Sequence, residues 1–285
     1  MREFSLIVST LGERDHDLRA LLLSLVSQAA YIREVIVVDQ HQDPEHLTAL
    51  LADFQDRLPV RHARSERGLS RARNVGLSLA SGSIIAFPDD DCLYPDGLLK
   101  WVEKWFEENM KYDILAVGSD DASGARSGNR WPQNACDIQP INAFRTTFSP
   151  SLFLRGAVAR SQQFDVRLGV GSGTRFGSGE ETDYVLRIMR LGPRGRFDRT
   201  RHIVHPRRDM LSGGSSAPRA EAYGFGMGHL LSLQSLRFLW VAFLAYDLIR
   251  AGFALGRVWR NGSGLCIAHA KGLWHGYHAP DVPAI

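Results

Sequence analysis

Cysteine is scarce in this sequence. Three residues among 285, Cys92, Cys136 and Cys266, are odd in number and widely spaced. That excludes a disulfide framework and a four-cysteine zinc site, and it fits a reducing compartment. No run of 18 or more apolar residues occurs, so no simple transmembrane span is expected. Met1-Arg2-Glu3 leads straight into an alternating apolar stretch, so no signal peptide is expected either. Internal repeats are absent, and no glycine-rich phosphate loop stands early in the chain. Neither sign of charge is in large excess: 34 Lys+Arg stand against 31 Asp+Glu, a net of +3. The hydrophobic share of 44% and charged share of 23% are those of a globular chain, which excludes a wholly disordered or collagen-like one.

The charge is unevenly placed. From Gly192 onward, 12 Lys+Arg face 5 Asp+Glu, whereas the first 191 residues hold 22 against 26. An acidic body with a basic tail suits a tail that meets something anionic, such as a phospholipid surface, or simply a solvated basic face.

The first hundred residues alternate between two periods. Phe4 to Ser9, Glu34 to Asp39, Pro59 to Ala63 and Ser83 to Phe87 read as buried strands. Between them lie helical faces: Leu18, Leu21, Leu22 and Leu25; then Leu47, Leu50, Leu51 and Phe54; then Ala72, Val75 and Leu79 behind a capping Ser70. Pro95 suits the first turn of a further helix carrying Leu98, Val102, Trp105 and Phe106. Such alternation implies an α/β fold with a mainly parallel sheet flanked by helices and right-handed crossovers. Ligands of such sheets bind beyond the carboxyl ends of the strands. Those ends carry Ser9-Thr10, Asp39-Gln40 and Asp89-Asp90-Asp91.

Further on, Asp113 to Ser119 and Thr147 to Leu154 read as strands, with a loop over Asp120 to Gln139. Gly169 to Gly179 holds five glycines and suggests a mobile loop. Glu181 to Leu191 is expected to be helical, Arg201 to His205 a short strand, and Ser212 to Pro218 a small-residue linker. Gly228 to Trp259 is expected to be helical and mostly apolar. The expected domains are 1–211, the α/β body, and 212–285, a C-terminal helical extension. Within the extension, Phe238 to Tyr246 is uncharged and bounded by Arg237 and Asp247. It is too short to span a bilayer. It suits an interfacial helix, with Trp240, Phe243, Trp259, Arg250, Arg257 and Arg260 nearby, or a core-covering or dimer-forming helix pair.

The strongest chemical signal is Phe87-Pro88-Asp89-Asp90-Asp91. Three consecutive carboxylates after a buried strand repel one another, and a divalent cation relieves that repulsion; Mg²⁺ or Mn²⁺ prefers such oxygen ligands. Without a cation the triplet reads as a solvated acidic turn. Asp39 suits hydrogen bonds from a base or ribose, or a turn. The run Arg67 to Gly76, with Arg71, Arg73 and Asn74, sets cations at a helix start. There they oppose the helix dipole unless an anion is bound. Glu180-Glu181-Thr182-Asp183 offers good dipole partners and also a candidate general base. His202 and His205 stand three apart, on opposite faces of a strand, so at most one is expected to be a ligand.

Taken together and in order, VSTLGERDHDLRALLLSLVSQ, VIVVDQ, RGLSRARNVGLSLASGSIIAFPDDDCLYP, GSGEETDYVLRIMRLG and HIVHP resemble a family 2 glycosyltransferase of the GT-A fold, over roughly residues 4 to 206. The resemblance is strongest to bacterial enzymes of exopolysaccharide or O-antigen assembly. It implies a metal-dependent inverting transfer of a sugar from a nucleotide-diphosphate sugar to a hydroxyl of a glycan or lipid-linked acceptor. It further implies that Asp89–Asp91 form a DXD motif, with Asp91 the foremost metal ligand, Asp89 touching both donor and metal, and Asp90 beside them. Asp39 would bind the base, Thr10 and Glu13 the first nucleotide loop, and Arg71, with Asn74, the diphosphate side. Glu181 takes the place of the family's second acid, the base, with Glu180 the alternative and Asp183 on the same turn. His205 takes the place of a late metal-contacting histidine, with His202 the alternative. Mn²⁺ or Mg²⁺ is the implied cofactor. The expected location is cytoplasmic and peripheral on the inner membrane face, with an anionic membrane rather than nucleic acid as partner. Two other classes share these features: a sugar nucleotidyltransferase, which would release pyrophosphate, and a noncatalytic glycan- or membrane-binding scaffold.

Overall fold

The structure is a computed structural model, and it describes residues 3–128, 131–206, 216–255 and 260–280. These residues form two compact units. The first comprises the chain up to Arg67, Arg71–Phe164 and the stretch from Tyr184 to residue 206. The second comprises Gly68–Ser70, Asp165–Asp183 and the described residues beyond 215. The domain boundary expected at 211/212 lies outside the described residues.

In chain order the elements begin β1 (Phe4–Thr10), α1 (Asp15–Val26), β2 (Ile32–Asp39), α2 (Thr48–Ala52), β3 (Val60–Arg64), α3 (Leu69–Leu79), β4 (Ile84–Ala86) and α4 (Leu98–Glu108). They continue with β5 (Ile114–Asp120), β6 (Cys136–Asp137), α5 (Ala143–Thr146), β7 (Leu152–Arg155), α6 (Gly156–Ala159), α7 (Glu180–Met189) and β8 (Gly195–Val204). Three helices close the described chain: α8 (Ala217–Leu233), α9 (Arg237–Leu255) and α10 (Arg260–Tyr277).

The eight strands among the described residues form one sheet, in the order β3-β2-β1-β4-β7-β5-β8-β6. The β3-β2-β1-β4 half is parallel, as helical crossovers require. β7 runs antiparallel to both β4 and β5, β5 and β8 are parallel, and β6 pairs antiparallel with β8. Successive side chains of a strand point to opposite faces, and the core divides accordingly. Leu6, Val8, Val35 and Val37 pack with Leu18, Leu21, Leu22 and Leu25 of α1 and with Leu98, Leu99 and Val102 of α4. Ile7, Ile36, Val38 and Ile85 pack on the other face with Ala72 and Leu77 of α3 and with Tyr184, Val185 and Ile188 of α7.

Three expectations need correction. Of Thr147 to Leu154, only the end is strand: Ser149–Ser151 is a 3-10 turn, where Pro150 fixes φ and brings no N–H to a ladder. β8 is ten residues long rather than a short strand at Arg201 to His205. Its register against β5 jumps from Val117↔Asp198 to Gly118↔His202, and the charged Arg199 and Arg201 at the bulge hid the alternation. The C-terminal region is three helices. Pro218 opens α8 behind an N-capping Ser216 instead of closing a linker, which suits proline's missing N–H. The linker's other residues, 212–215, lie outside the described set, as do Arg257 and Trp259.

α10 escaped the sequence reading because glycine disfavours helix. Its glycines serve packing instead. A Cβ added at Gly272 would lie 2.0 Å from the Glu221 carbonyl oxygen of α8, and one at Gly276 2.0 Å from that of Phe225. Small residues spaced four apart on both helices thus let two backbones touch. The loop Gly169 to Gly179, also in the second unit, is fastened rather than loose. Gly177 N–H donates to the Ala222 carbonyl at 3.1 Å, Ser178 Oγ donates to that of Tyr223 at 2.8 Å, and Phe176 stacks on His229.

One buried carboxylate ties the first unit together. Glu34 of β2 accepts from Ser5 Oγ at 2.7 Å, from Ser81 N–H and Oγ at 2.7 and 2.8 Å, and from Arg61 Nη1 at 2.7 Å. Burial pushes its pKa up, but the bonds from Ser5, Arg61 and Ser81 outweigh this and bring it down to about 2. A carboxylate whose pKa is depressed by folding stabilises fully above its unfolded value, and that stability is lost as pH falls toward the folded one. Glu34→Gln is therefore expected to lower unfolding free energy by about 3 kcal/mol at neutral pH. The difference from the parent should shrink between about pH 4.5 and pH 2. Urea denaturation across that range checks it.

Candidate active site

The parallel strands of the first unit end side by side. Thr10 and Asp39 face each other at the ends of β1 and β2, and Asp39 faces Arg64 at the end of β3. Beyond β4, Asp89 forms a parallel bridge with Ser9 and so continues the sheet. Its carbonyl accepts from Cys92 N–H at 3.1 Å, which turns Asp89, Asp90 and Asp91 through a tight bend. Phe87 behind them is buried and meets the rings of Phe164 and Tyr184 edge-on.

A second pairing delivers the histidine. Leu93 and Val204 exchange N–H···O bonds of 2.7 and 2.9 Å, and His205 N–H donates to the Asp120 carbonyl at 2.9 Å. His205 Nε2 then lies 3.4 Å from Asp91 Oδ1 and 3.9 Å from Asp89 Oδ2. Ligand atoms of Asp89, Asp91 and His205 all lie within 4.8 Å of one another. His202, by contrast, is half exposed, with Nδ1 3.7 Å from Asp120. The opposite-face expectation for the two histidines thus separates them, and His205 is the one beside the acids.

Cations neutralise the triplet. Arg14 Nη1 bonds Asp91 Oδ2, and Arg14 Nη2 sits 2.7 Å from Asp90 Oδ1, off a good hydrogen-bonding direction. Arg73 Nη2 reaches Asp89 Oδ1 at 3.3 Å, and its guanidinium lies 5.4 Å over the Phe164 ring. Thr10 Oγ1 donates to Asp90 Oδ2 at 2.7 Å and accepts from Gly12 N–H. Burial pushes the Asp90 carboxyl up to about 6, against the pull of Arg14 and Thr10, with Asp89 and Asp91 adding to the rise. Burial opposes a charge on His205, but Asp91 and Asp89 outweigh it and raise that imidazole's pKa.

These residues fit a divalent cation. His205 Nδ1 lies 2.8 Å from the Pro206 carbonyl, which can only accept, so Nδ1 carries the proton. Histidine ligands of metals are held in this way, with the other nitrogen turned to the ion. Here that nitrogen faces two carboxylates, a donor set suited to Mn²⁺ or Mg²⁺. Asp89 keeps a side chain 30% exposed, which leaves one side of the cluster open. Beside Asp91 opens a cleft of about 450 Å³, lined also by Asp17, Asp121, Ser123 and Pro206.

The remaining expected site residues are placed as follows. Asp39 is fully buried and accepts from His41 N–H at 2.7 Å; Arg64 Nη1 lies at 2.5 Å and His62 Nε2 at 3.2 Å. Glu13 is exposed. Arg71 is partly exposed, with Nη1 3.4 Å from Glu66, whereas Arg73 is the arginine of this helix that reaches the acids. Two helical residues two apart point about 200° from each other, so α3 turns one arginine outward and one inward. Asn74 spends both ends of its amide on the backbone of Phe164, donating at 2.9 Å and accepting at 2.7 Å. Glu180, Glu181 and Asp183 form the first turn of α7, where the dipole favours acids. Glu180 and Asp183 are buried and Glu181 is half-buried. Within the second unit, a Cβ at Gly169 would come 3.0 Å from the Glu180 carboxyl, so the glycine makes room for it.

Arg14, Arg73, His62 and Arg64 were not singled out from the sequence for these contacts. Arg14 directly follows Glu13 in the first loop, and the i, i+2 spacing of His62 and Arg64 puts both on one face of β3.

The family model for Glycosyl transferase family 2 matches residues 5–181. Polypeptide N-acetylgalactosaminyltransferase 12 of Mus musculus is 43% identical over 75 residues, 25% of this chain and 12% of that protein. Polypeptide N-acetylgalactosaminyltransferase 10 of Homo sapiens is 39% identical over 64 residues, 21% of this chain and 11% of that one. The chain thus spans about an eighth or less of the curated relatives it matches. Among solved structures, S. aureus TarS aligns over 97% of this chain and 55% of its own, with a TM-score of 0.60 and 18% identity. TarS 1-349 in complex with UDP-GlcNAc aligns over 96% of this chain and 91% of its own, with a TM-score of 0.60 and 16% identity. At that identity the likeness is one of fold, a GT-A-like arrangement.

Asn74→Ala is expected to lose two hydrogen bonds to Phe164 and about 2 kcal/mol of stability. Thermal melting reads the loss. An unchanged nucleotide affinity alongside it would mark Asn74 as a scaffold residue, and a weakened one as a nucleotide contact.

Proposed function

Because the chain belongs to glycosyl transferase family 2, we propose that it moves a sugar from a nucleotide-diphosphate sugar to a hydroxyl of a glycan or lipid-linked acceptor, with inversion at the anomeric carbon. Surface polysaccharide synthesis at the inner face of a membrane is the setting we propose. The observation that carries the reading is the cluster of Asp89, Asp91 and His205 at the carboxyl end of β4.

Asp89, Asp91 and His205 would hold Mn²⁺ or Mg²⁺, which when bound neutralises charge developing on the leaving diphosphate. Arg73, already beside Asp89, supplies a fixed positive charge on the same side. Thr10, Glu13, Asp39, Arg71, Asn74 and Asp90 are the proposed donor contacts. Asp39 acts with His62 and Arg64, the groups that already hold its carboxylate. Glu181 takes the proton from the attacking hydroxyl, and Glu180 and Asp183 support it on the same helical turn. A proton taken as the bond forms leaves a stronger nucleophile at the transition state, which is worth about 10² to 10⁴ in rate.

Two substitutions separate binding from chemistry. Asp91→Asn is expected to abolish Mn²⁺-dependent nucleotide binding in calorimetry. Glu181→Gln is expected to keep that binding and to lose about 10²-fold or more in transfer. Full activity in both variants would sink the assignments. Chelation should stop release of nucleoside diphosphate and added Mn²⁺ should restore it. Release of pyrophosphate from a nucleoside triphosphate would instead indicate a nucleotidyltransferase. NMR of the product should show the anomeric configuration opposite to the donor's, and a retained configuration would reject single displacement.

A further inference from the structure

α9 turns its one acid inward and an apolar strip outward. Phe238, Val241, Leu248 and Ile249 are each more than half exposed, and Ala242, Ala245 and Gly252 are exposed between them. At about 100° per residue these seven form one continuous strip, roughly 120° wide and 21 Å long. Trp240, Asp247 and Ala251 make up the opposite, buried side. Trp240 packs there against Trp274 and Tyr277 and donates Nε1–H to the Leu273 carbonyl at 3.1 Å. Asp247, the one acid of the helix, is held at 2.5 Å by His269 Nδ1 of α10. The outer strip therefore carries no carboxylate. Arg237 and Arg250 stand at its two edges, and Arg250 lies along the Tyr246 ring.

We propose that this strip of α9 docks in the plane of an anionic lipid surface, its apolar side chains in the acyl boundary and Arg237 and Arg250 at the headgroups. No helix among the described residues is long and apolar enough to cross a membrane, so the contact is interfacial. Charge decides between lipid and a second copy of this chain. A two-fold contact brings the same patch against itself. Neither copy of α9 would then offer an outward acid to the other's arginines. Phosphate headgroups supply that missing negative charge, and long cationic side chains reach them from the rim of an apolar face.

The inference is independent of the transferase reading, because vesicle binding needs neither donor nor turnover. The full chain is mixed with phosphatidylcholine vesicles, with and without about 30% phosphatidylglycerol, and floated on a density gradient. It should float with the anionic vesicles and stay at the bottom with the neutral ones, and added salt should release it. Val241→Glu and Leu248→Glu, at exposed positions, should each cut the floated fraction roughly tenfold or more with an unchanged melting temperature. Arg237→Glu with Arg250→Glu should weaken flotation and flatten its salt dependence. The proposal fails if the parent does not float, or if the glutamate variants float as the parent does. It also fails if the parent is a dimer that Leu248→Glu splits without altering flotation, since a second copy would then cover the strip.

Discussion

Three successive carboxylates cannot share one tight turn unless something positive answers them. At 4 Å two such charges repel by about 4 kcal/mol near a protein surface. Asp90 and Asp91 are also nearly buried, which deepens the cost. The first unit meets that demand from three separate places: Arg14 after β1, Arg73 on α3 and His205 after β8. Each is far from the triplet in sequence, so the turn exists only because the sheet has brought its strand ends together. Burial lifts the Asp90 pKa to about 6 against the pull of Arg14 and Thr10, and Asp89 and Asp91 add to the rise. A divalent ion among Asp89, Asp91 and His205 would complete the neutralisation. The crowding of like charge at the turn is therefore the physical argument for a cation there.

Backbone pairing, more than side-chain packing, sets this geometry. The Ser9–Asp89 bridge fixes where the triplet begins, and the Leu93–Val204 bridge fixes where His205 stands against it. The bulge in β8 takes up the extra residues between Asp198 and His202, so that the strand reaches His205 in register with Asp120. A straight strand would have carried the imidazole past the acids. The Pro206 carbonyl then holds Nδ1, which leaves Nε2 the nitrogen that faces the carboxylates.

The parallel half of the fold and the acidic triplet were legible because both rest on local signals. β1, β2 and α1 follow apolar periodicity, and Asp89–Asp91 sit where a strand must end. What was not legible depends on partners far along the chain. Arg71 and Arg73 are indistinguishable in the sequence, and only the phase of α3 decides which one turns inward. Asn74 places its amide on the backbone of Phe164, ninety residues on, a contact that no local signal announces. α10 was hidden by glycines whose use becomes visible only against α8. In each case the sequence holds the residue type and the tertiary contact assigns its use.

The same logic accounts for the second unit. The glycine-lined pair α8 and α10 packs backbone against backbone, with Ala220, Leu265 and Ala268 buried together. α9 adds to it by burying Trp240 among Trp274 and Tyr277 and by sinking Asp247 onto His269. A lone carboxylate within an apolar helix is costly to bury unless it is paired. The His269 imidazole of α10 supplies that partner. The phase of α9 that sets Asp247 against α10 also sets Phe238, Val241, Leu248 and Ile249 on its outer side. One polar contact thus fixes which side of the helix is left apolar.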